Sequence, residues 1–356
     1  KEATSSPPHL QPLSSPPSRS PPSSPLLLSP PSPPSPTRLA SPRLASASSP
    51  LPPPMWRRLA FAASGGAIGL AAAEVAYLRL SFKLPPDPPG PVSGLVHAPS
   101  PRGTRHLVFL GDSIVTGVGC SDASGAHGPV MPRACASLVA RRLGQDVSWA
   151  ALGETGADVT ALRQTYLPRL ARLAAELRAE GEAVDAVVLF CGLNDVKECI
   201  LHMHPLTRHP WRFRENLQEL IREVRQAAGS QCTVIVPEEP MADSPRFSAL
   251  WPLSAATRLV SALWDWQKRE ACVRAAAELG DSTGSSPVLH IATPPVFGPS
   301  FFCVDGMHPN DRGYHTWGEA IACSFLGDRE YSVELGTRVP LVVTPSPREL
   351  DCRIQE

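Results

Sequence analysis

Apolar and polar positions fall in blocks along this chain rather than evenly. Mostly apolar, strand-like runs at 106–110, 147–152, 185–191, 232–236 and 287–291 are each bounded by glycine, proline or polar residues. That is the pattern of strands buried on both faces. Between them, near 131–143, 158–179, 211–228, 255–279 and 311–325, apolar residues recur at helical spacing. Strands alternating with helices predict an α/β domain with a mostly parallel five-stranded sheet and helices on both faces. Right-handed crossovers would bring the strand ends and the loops that follow them to one edge of that sheet. The domain is expected to run from residue 105 to 326, about 220 residues, which is enough for one core.

The chemistry gathers where that edge is expected. The first strand ends at Gly111-Asp112-Ser113. Gly111 permits a sharp turn, and Ser113 would head a helical turn beside backbone N–H groups that favour developing negative charge. After the second strand, Gly156 either presents its N–H to an oxyanion or serves a plain strand-to-helix turn. The third strand runs into Gly192-Leu193-Asn194-Asp195. Asn194 there is either an amide donor to an oxyanion or, like Asp195, the maker of an Asx turn or helix cap. Following the last strand, Val304-Asp305-Gly306-Met307-His308-Pro309-Asn310 sets a carboxylate three residues before a histidine. Asp305 in that position can bond the imidazole Nδ1–H and leave Nε2 free as a base.

Taken together, Gly111-Asp-Ser113, Gly156, Gly192-Leu-Asn194 and Asp305-Gly-Met-His308 resemble the SGNH, or GDSL-type, hydrolase superfamily over roughly residues 105–326. The resemblance implies a flavodoxin-like three-layer α/β/α fold. It implies Ser113 as nucleophile, His308 as base and Asp305 as the group that orients His308. An oxyanion hole would come from the Ser113 and Gly156 N–H groups and the Asn194 amide. Ala150-Ala151 stands where many relatives carry an asparagine, and Ile114 replaces the leucine of the GDSL name. The expected activity is that of a serine esterase or lipase-like hydrolase working through an acyl-enzyme on a small-molecule or lipid acyl ester. One alternative is an acyltransferase acting on polysaccharide or lipid, against which the Gly192-Leu-Asn194 block weighs. Another is a non-catalytic SGNH-like binding domain. Phe247, Leu250, Trp251, Phe297, Phe301 and Phe302 are candidates for an acyl pocket or for core.

Composition changes the picture at the ends. Residues 1–54 hold 18 of the 42 prolines and show no periodicity, which predicts disorder. The chain starts at Lys1, and Met55-Trp-Arg-Arg58 looks like a fresh amino terminus, so the expectation is translated upstream sequence, with a transit peptide as the alternative. Within 55–83, the stretch Leu59–Leu78 is about one membrane span long, bracketed by Arg57, Arg58 and Arg79 and interrupted by Glu74. It is expected to be a signal or a transmembrane anchor, giving a membrane-anchored or secretory location, with plastid or mitochondrial targeting as the alternative. Residues 84–104 read as a stiff Pro-rich linker and 327–356 as a tail. None of the three asparagines lies in a glycosylation sequon.

A formal net charge of zero argues against a nucleic-acid partner. The nine cysteines include no C-x-x-C pair, which removes the usual zinc-ribbon and thioredoxin readings. His202, His204 and His209 are spaced like a metal cluster but have no carboxylate nearby. Neither a metal nor another cofactor is expected.

Overall fold

The computed structural model describes residues 55–121, 127–201, 209–280, 288–294, 297–328, 330–333 and 337–340. The expected disordered segment 1–54 and most of the tail lie outside them. In chain order come α1 (Met55–Ser81), β1 (Ser93–Val96), β2 (Thr104–Gly111), α2 (Ser113–Thr116), α3 (Val130–Leu143) and β3 (Asp146–Gly153). Next are α4 (Val159–Ala161), a π-helical turn (Leu162–Tyr166), α5 (Leu167–Ala179), β4 (Ala186–Leu189), α6 (Leu193–Leu201) and α7 (Pro210–Ala228). Then follow β5 (Thr233–Pro237), α8 (Pro245–Ser248), α9 (Leu253–Leu279), β6 (Val288–Ile291) and α10 (Asp311–Phe325). A separate antiparallel pair, β7 (Glu330–Val333) and β8 (Thr337–Pro340), comes last.

Six strands form the main sheet in the order β1-β3-β2-β4-β5-β6, and all neighbours are parallel except β1 with β3. The five parallel strands thus follow the flavodoxin-like order, with a topological switch point between β2 and β4. Ligands of open α/β sheets bind at such a point, outside the carboxyl ends of the strands.

The two-residue period of β2 divides the core into two halves. Leu107 and Phe109 face one layer, with Met131, Cys135 and Val139 of α3 and Tyr314, Trp317 and Ile321 of α10. Val108 and Leu110 face the other, with Leu170 of α5, Phe213, Leu217 and Val224 of α7, and Trp264 and Ala271 of α9. Each fully buried Leu or Phe of this set contributes about 1.5–3 kcal/mol. Because β2 is covered on both sides, its carboxyl end is held from every direction.

The sixth strand corrects the expected count of five. Ser93–Val96 lies within the stretch read as linker, and it escapes a search for apolar runs because it is short, flanked by prolines and mostly exposed. It gains its place by edge pairing, with Gly94 so close to the Trp149 ring that an added Cβ would stand 3.1 Å from its Nε1. The expected helix over 158–179 is broken at the π-helical turn. Pro168, which has no N–H to donate, sits in the first turn of the α-helix that resumes there.

The transmembrane reading of 55–83 is also corrected. Among the described residues no helix is long and apolar enough to cross a membrane. Alanine and glycine make α1 only mildly apolar, and Glu74 interrupts it. The end of α1 instead contacts the rest of the domain. Glu74 Oε2 accepts the Leu253 N–H at the start of α9 (3.1 Å), while Arg246 Nη2 donates to the Leu78 carbonyl (3.2 Å) and to Ser81 Oγ (2.7 Å).

The layer behind β2 depends on a close approach of α10 to α3. A Cβ added at Gly318 would stand 2.6 Å from the Met131 carbonyl oxygen and 3.0 Å from Ala134 Cβ. Gly318→Val is therefore expected to destabilise the domain by about 1–3 kcal/mol through overpacking, read as a lowered urea midpoint. An unchanged midpoint would show that the two helices can separate freely.

Candidate active site

Four loops meet at the carboxyl edge of the sheet, and each is shaped by short-range rules. At the end of β2 the chain must turn against its neighbours. A Cβ on Gly111 would lie 2.6 Å from Val115 Cγ2 and 2.8 Å from the Phe190 carbonyl oxygen, so no larger residue fits. Asp112 then caps α2, its Oδ1 accepting the Ile114 N–H at 3.0 Å. Ser113 is the first residue of that helical turn and is nearly buried.

The loop before α10 is folded on itself by backbone and side-chain bonds. Cys303 N–H donates to the His308 carbonyl (2.8 Å), and Asp305 Oδ1 accepts from the N–H groups of Met307 (2.7 Å) and His308 (2.9 Å). Asn310 caps α10 through the Gly313 N–H (3.0 Å) while its own amide donates to the Ser300 and Phe302 carbonyls. Ser244 Oγ and the Arg246 N–H both donate to the Gly306 carbonyl from outside. The result aims the His308 ring at Ser113.

The distances are those of a nucleophile, a base and an orienter. His308 Nε2 lies 2.8 Å from Ser113 Oγ, and His308 Nδ1 lies 2.6 Å from Asp305 Oδ2. Burial works to raise the Asp305 pKa, but the hydrogen bonds from the His308 ring and the Met307 and His308 N–H groups outweigh it and hold the carboxyl at about 2. A charged Asp305 accepts the proton on Nδ1, which leaves the Nε2 lone pair for the Ser113 hydroxyl.

The two remaining predicted residues complete the edge. Asn194 is buried in the first turn of α6, and its Nδ2 donates to Asp112 Oδ2 (2.9 Å) and to the Ala157 carbonyl (3.1 Å). Gly156, beside Ala157, has φ +92° and open space where a side chain would stand. Asp195 accepts the Val159 N–H at the start of α4 (3.3 Å). The structure thus brings Ser113, Asp305 and His308 together, with Asn194 and the turn after Gly156 joined through the Ala157 carbonyl.

Of the apolar candidates, Phe297, Phe301 and Phe302 are core, the Phe297 ring meeting those of Phe301, Phe302 and Trp317 at centroid distances of 5.4–6.2 Å. Phe247 and Leu250 are half-buried and Trp251 is exposed. His209 caps α7, its ring nitrogen accepting the Arg212 N–H (3.1 Å), while His202 and His204 lie outside the described residues.

One contributor was not legible in the sequence. Asp87, in the Pro-rich stretch before β1, accepts from Thr116 Oγ1 (2.7 Å) on α2 and Thr155 Oγ1 (2.9 Å) next to Gly156. It braces two of the four loops against each other. A lone aspartate among prolines carries no pattern that would have found it.

The GDSL-like lipase/acylhydrolase family model matches residues 109–316. No curated protein matches the chain by sequence. Among solved structures, a single-residue variant of Axe2, an acetyl-xylooligosaccharide esterase from Geobacillus stearothermophilus, is 16% identical with a TM-score of 0.43, over 64% of this chain and 94% of that one. Axe2 itself, an acetylxylan esterase, is 15% identical with a TM-score of 0.41, over the same shares of the two chains. LAE5, an alpha/beta hydrolase from the metagenome of Lake Arreo, Spain, is 18% identical with a TM-score of 0.39, over 65% and 97%. At such identities, what each enzyme acts on is a statement about that enzyme alone.

Asp112 gives the site a measurable pH signature. Burial, and then the charge of Glu239, raise its pKa from 3.8 to about 7, against the Ile114 N–H, Lys268 and Asn194. A pKa raised on folding contributes stability that is complete below about pH 4 and lost as pH rises through about 7. Asp112→Asn keeps an acceptor for Asn194 and should flatten this fall, measured as urea midpoints across that range. A curve that keeps the wild-type slope would mean that Asp112 ionises as freely in the folded protein as in the unfolded chain.

Proposed function

We propose that this chain, which belongs to the GDSL-like lipase/acylhydrolase family and is a carboxylic ester hydrolase, cleaves its ester through an acyl-enzyme formed on Ser113. The observation that carries the reading is the continuous line from Asp305 through His308 to Ser113 Oγ, with both hydrogen bonds at 2.8 Å or less. Ser113 Oγ attacks the ester carbonyl carbon while His308 Nε2 takes the hydroxyl proton. The C–O bond to the leaving group then breaks, and His308 passes the proton to the departing alkoxide. Water repeats the sequence: His308 removes its proton, the hydroxide adds to the acyl carbon, and Ser113 Oγ leaves with the proton returned. Asp305 stays a carboxylate throughout and stabilises the imidazolium that forms twice in each cycle.

Negative charge on the carbonyl oxygen is met by the N–H groups of Ser113 and Gly156 and by the Asn194 amide. Both Asn194 N–H groups are engaged in the resting site. In this reading the 3.1 Å bond to the Ala157 carbonyl is exchanged for one to the oxyanion, while the bond to Asp112 keeps the amide aimed. Such a bond gains strength only as charge develops, so it acts on kcat rather than on KM.

The test is fluorophosphonate labelling of the full chain followed by peptide mapping and a panel of acyl esters. The label should fall on the peptide containing Ser113, and Ser113→Ala should lose it together with roughly a million-fold in kcat while keeping its fold. Labelling retained in that variant would remove Ser113 from the reaction. Asp305→Asn leaves His308 in place with the wrong tautomer, and kcat should fall by up to about ten-thousand-fold. Full activity in that variant would take Asp305 out of the mechanism.

A further inference from the structure

Against the Gly192–Asn194 turn the fold buries an ion pair that the chemistry above does not use. Lys268, in the middle of α9, is among the largest fully buried side chains, and its Nζ lies 3.6 Å from Glu239 Oε1 and 3.4 Å from the Pro237 carbonyl. Glu239, just after β5, is likewise buried, and its Oε2 accepts the Leu193 N–H at 3.0 Å. Lys268 also stands over Gly192. A Cβ there would be 2.8 Å from Lys268 Cε, and Gly192 holds φ +128°, a conformation side chains rarely adopt. Residues 192 and 193 are therefore each fixed from behind, and the next residue is Asn194.

We propose that Lys268 and Glu239 are positioning residues for Asn194: Glu239 holds the Leu193 N–H, Lys268 holds Glu239 and fills the space over Gly192, and together they set the angle at which the Asn194 amide meets the reacting oxygen. This rests on the assignment of Asn194 as an oxyanion donor. Burial works to lower the Lys268 pKa, but the Glu239 and Asp265 carboxylates outweigh it and keep the ammonium charged. A buried pair of this kind stabilises a fold no better than well-packed apolar residues would. What distinguishes it from an apolar pair is direction: a carboxylate can hold one particular N–H, and an apolar side chain cannot.

The experiment is a kinetic cycle on the full chain. Lys268→Met combined with Glu239→Leu removes both members of the pair at similar volume, so neither is left behind as the uncompensated half of it. The double variant should keep its fold and lose about ten- to a hundred-fold in kcat, the scale set by a misplacement of about 1 Å. KM should stay within about twofold, because the lost interaction belongs to the transition state. Lys268→Met with Glu239→Gln, which restores an acceptor for the Leu193 N–H, should recover most of the loss. In the Asn194→Ala background the Met/Leu pair should cost nothing further, since the group it positions is gone. If the Met/Leu double does not fold, Glu239→Asp, which keeps the charge but shortens the reach to Leu193, carries the same comparison. A folded variant with wild-type kcat, or a loss that adds in full to that of Asn194→Ala, overturns the inference while leaving the oxyanion assignment standing. An Asn194→Ala variant with unchanged kcat overturns the assignment itself, and the inference with it.

Discussion

The hydrogen bond between Ser113 Oγ and His308 Nε2 joins residues 195 positions apart at 2.8 Å, and most of the fold can be read as the means of keeping it. Ser113 is fixed because β2 is covered on both faces and paired on both edges, and because Gly111 admits no side chain. His308 is fixed because its loop is closed by Asp305 and Cys303 and continues into the capped start of α10. The two halves then lock directly. Tyr314 Oη of α10 donates to the Val118 carbonyl at 2.7 Å, and Gly119 approaches the Pro309 carbonyl so closely that an added Cβ would stand 2.5 Å from it. The approach of the His308 ring to the Ser113 hydroxyl is thus a consequence of packing rather than of local sequence.

The second constraint is electrostatic. Asp112, fully buried, accepts from Ile114 N–H on one oxygen and from Asn194 on the other. The same side chain therefore caps the helical turn that carries Ser113 and aims the amide proposed to meet the oxyanion. Burying a carboxylate is costly unless its oxygens are bonded, and the raised pKa of Asp112 shows that the cost is only partly offset. Close by lies a second buried carboxylate, Glu239, whose charge adds to the rise and whose own partner is Lys268.

The fold was legible where burial imposes a period. Strands covered on both faces write apolar runs, and amphipathic helices such as α7 repeat Phe213, Leu217, Leu220 and Val224 at helical spacing. The meeting of Ser113, Asp305 and His308 was legible because each residue follows a strand end or sits in a tight turn, where glycine, aspartate and proline mark the backbone. What escaped was whatever tertiary contact alone decides. β1 is an edge strand with almost no buried face, a π-helical turn breaks a helical period just before Pro168, and Glu74 accepts the N–H at the start of α9. Asp87, Glu239 and Lys268 stand outside every motif; only the folded chain brings them against the loops they hold.

Whether Ser113 carries the acyl group between two transfers is settled by catching that group in place. The full chain is mixed with an activated acetyl ester, quenched in acid during the first turnovers, digested and analysed by mass spectrometry. One acetyl adduct per chain is expected on the peptide containing Ser113, formed with a burst of leaving group and absent when His308 is replaced by alanine. Turnover of the ester with no adduct at any stage, or with the adduct on another residue, would contradict it.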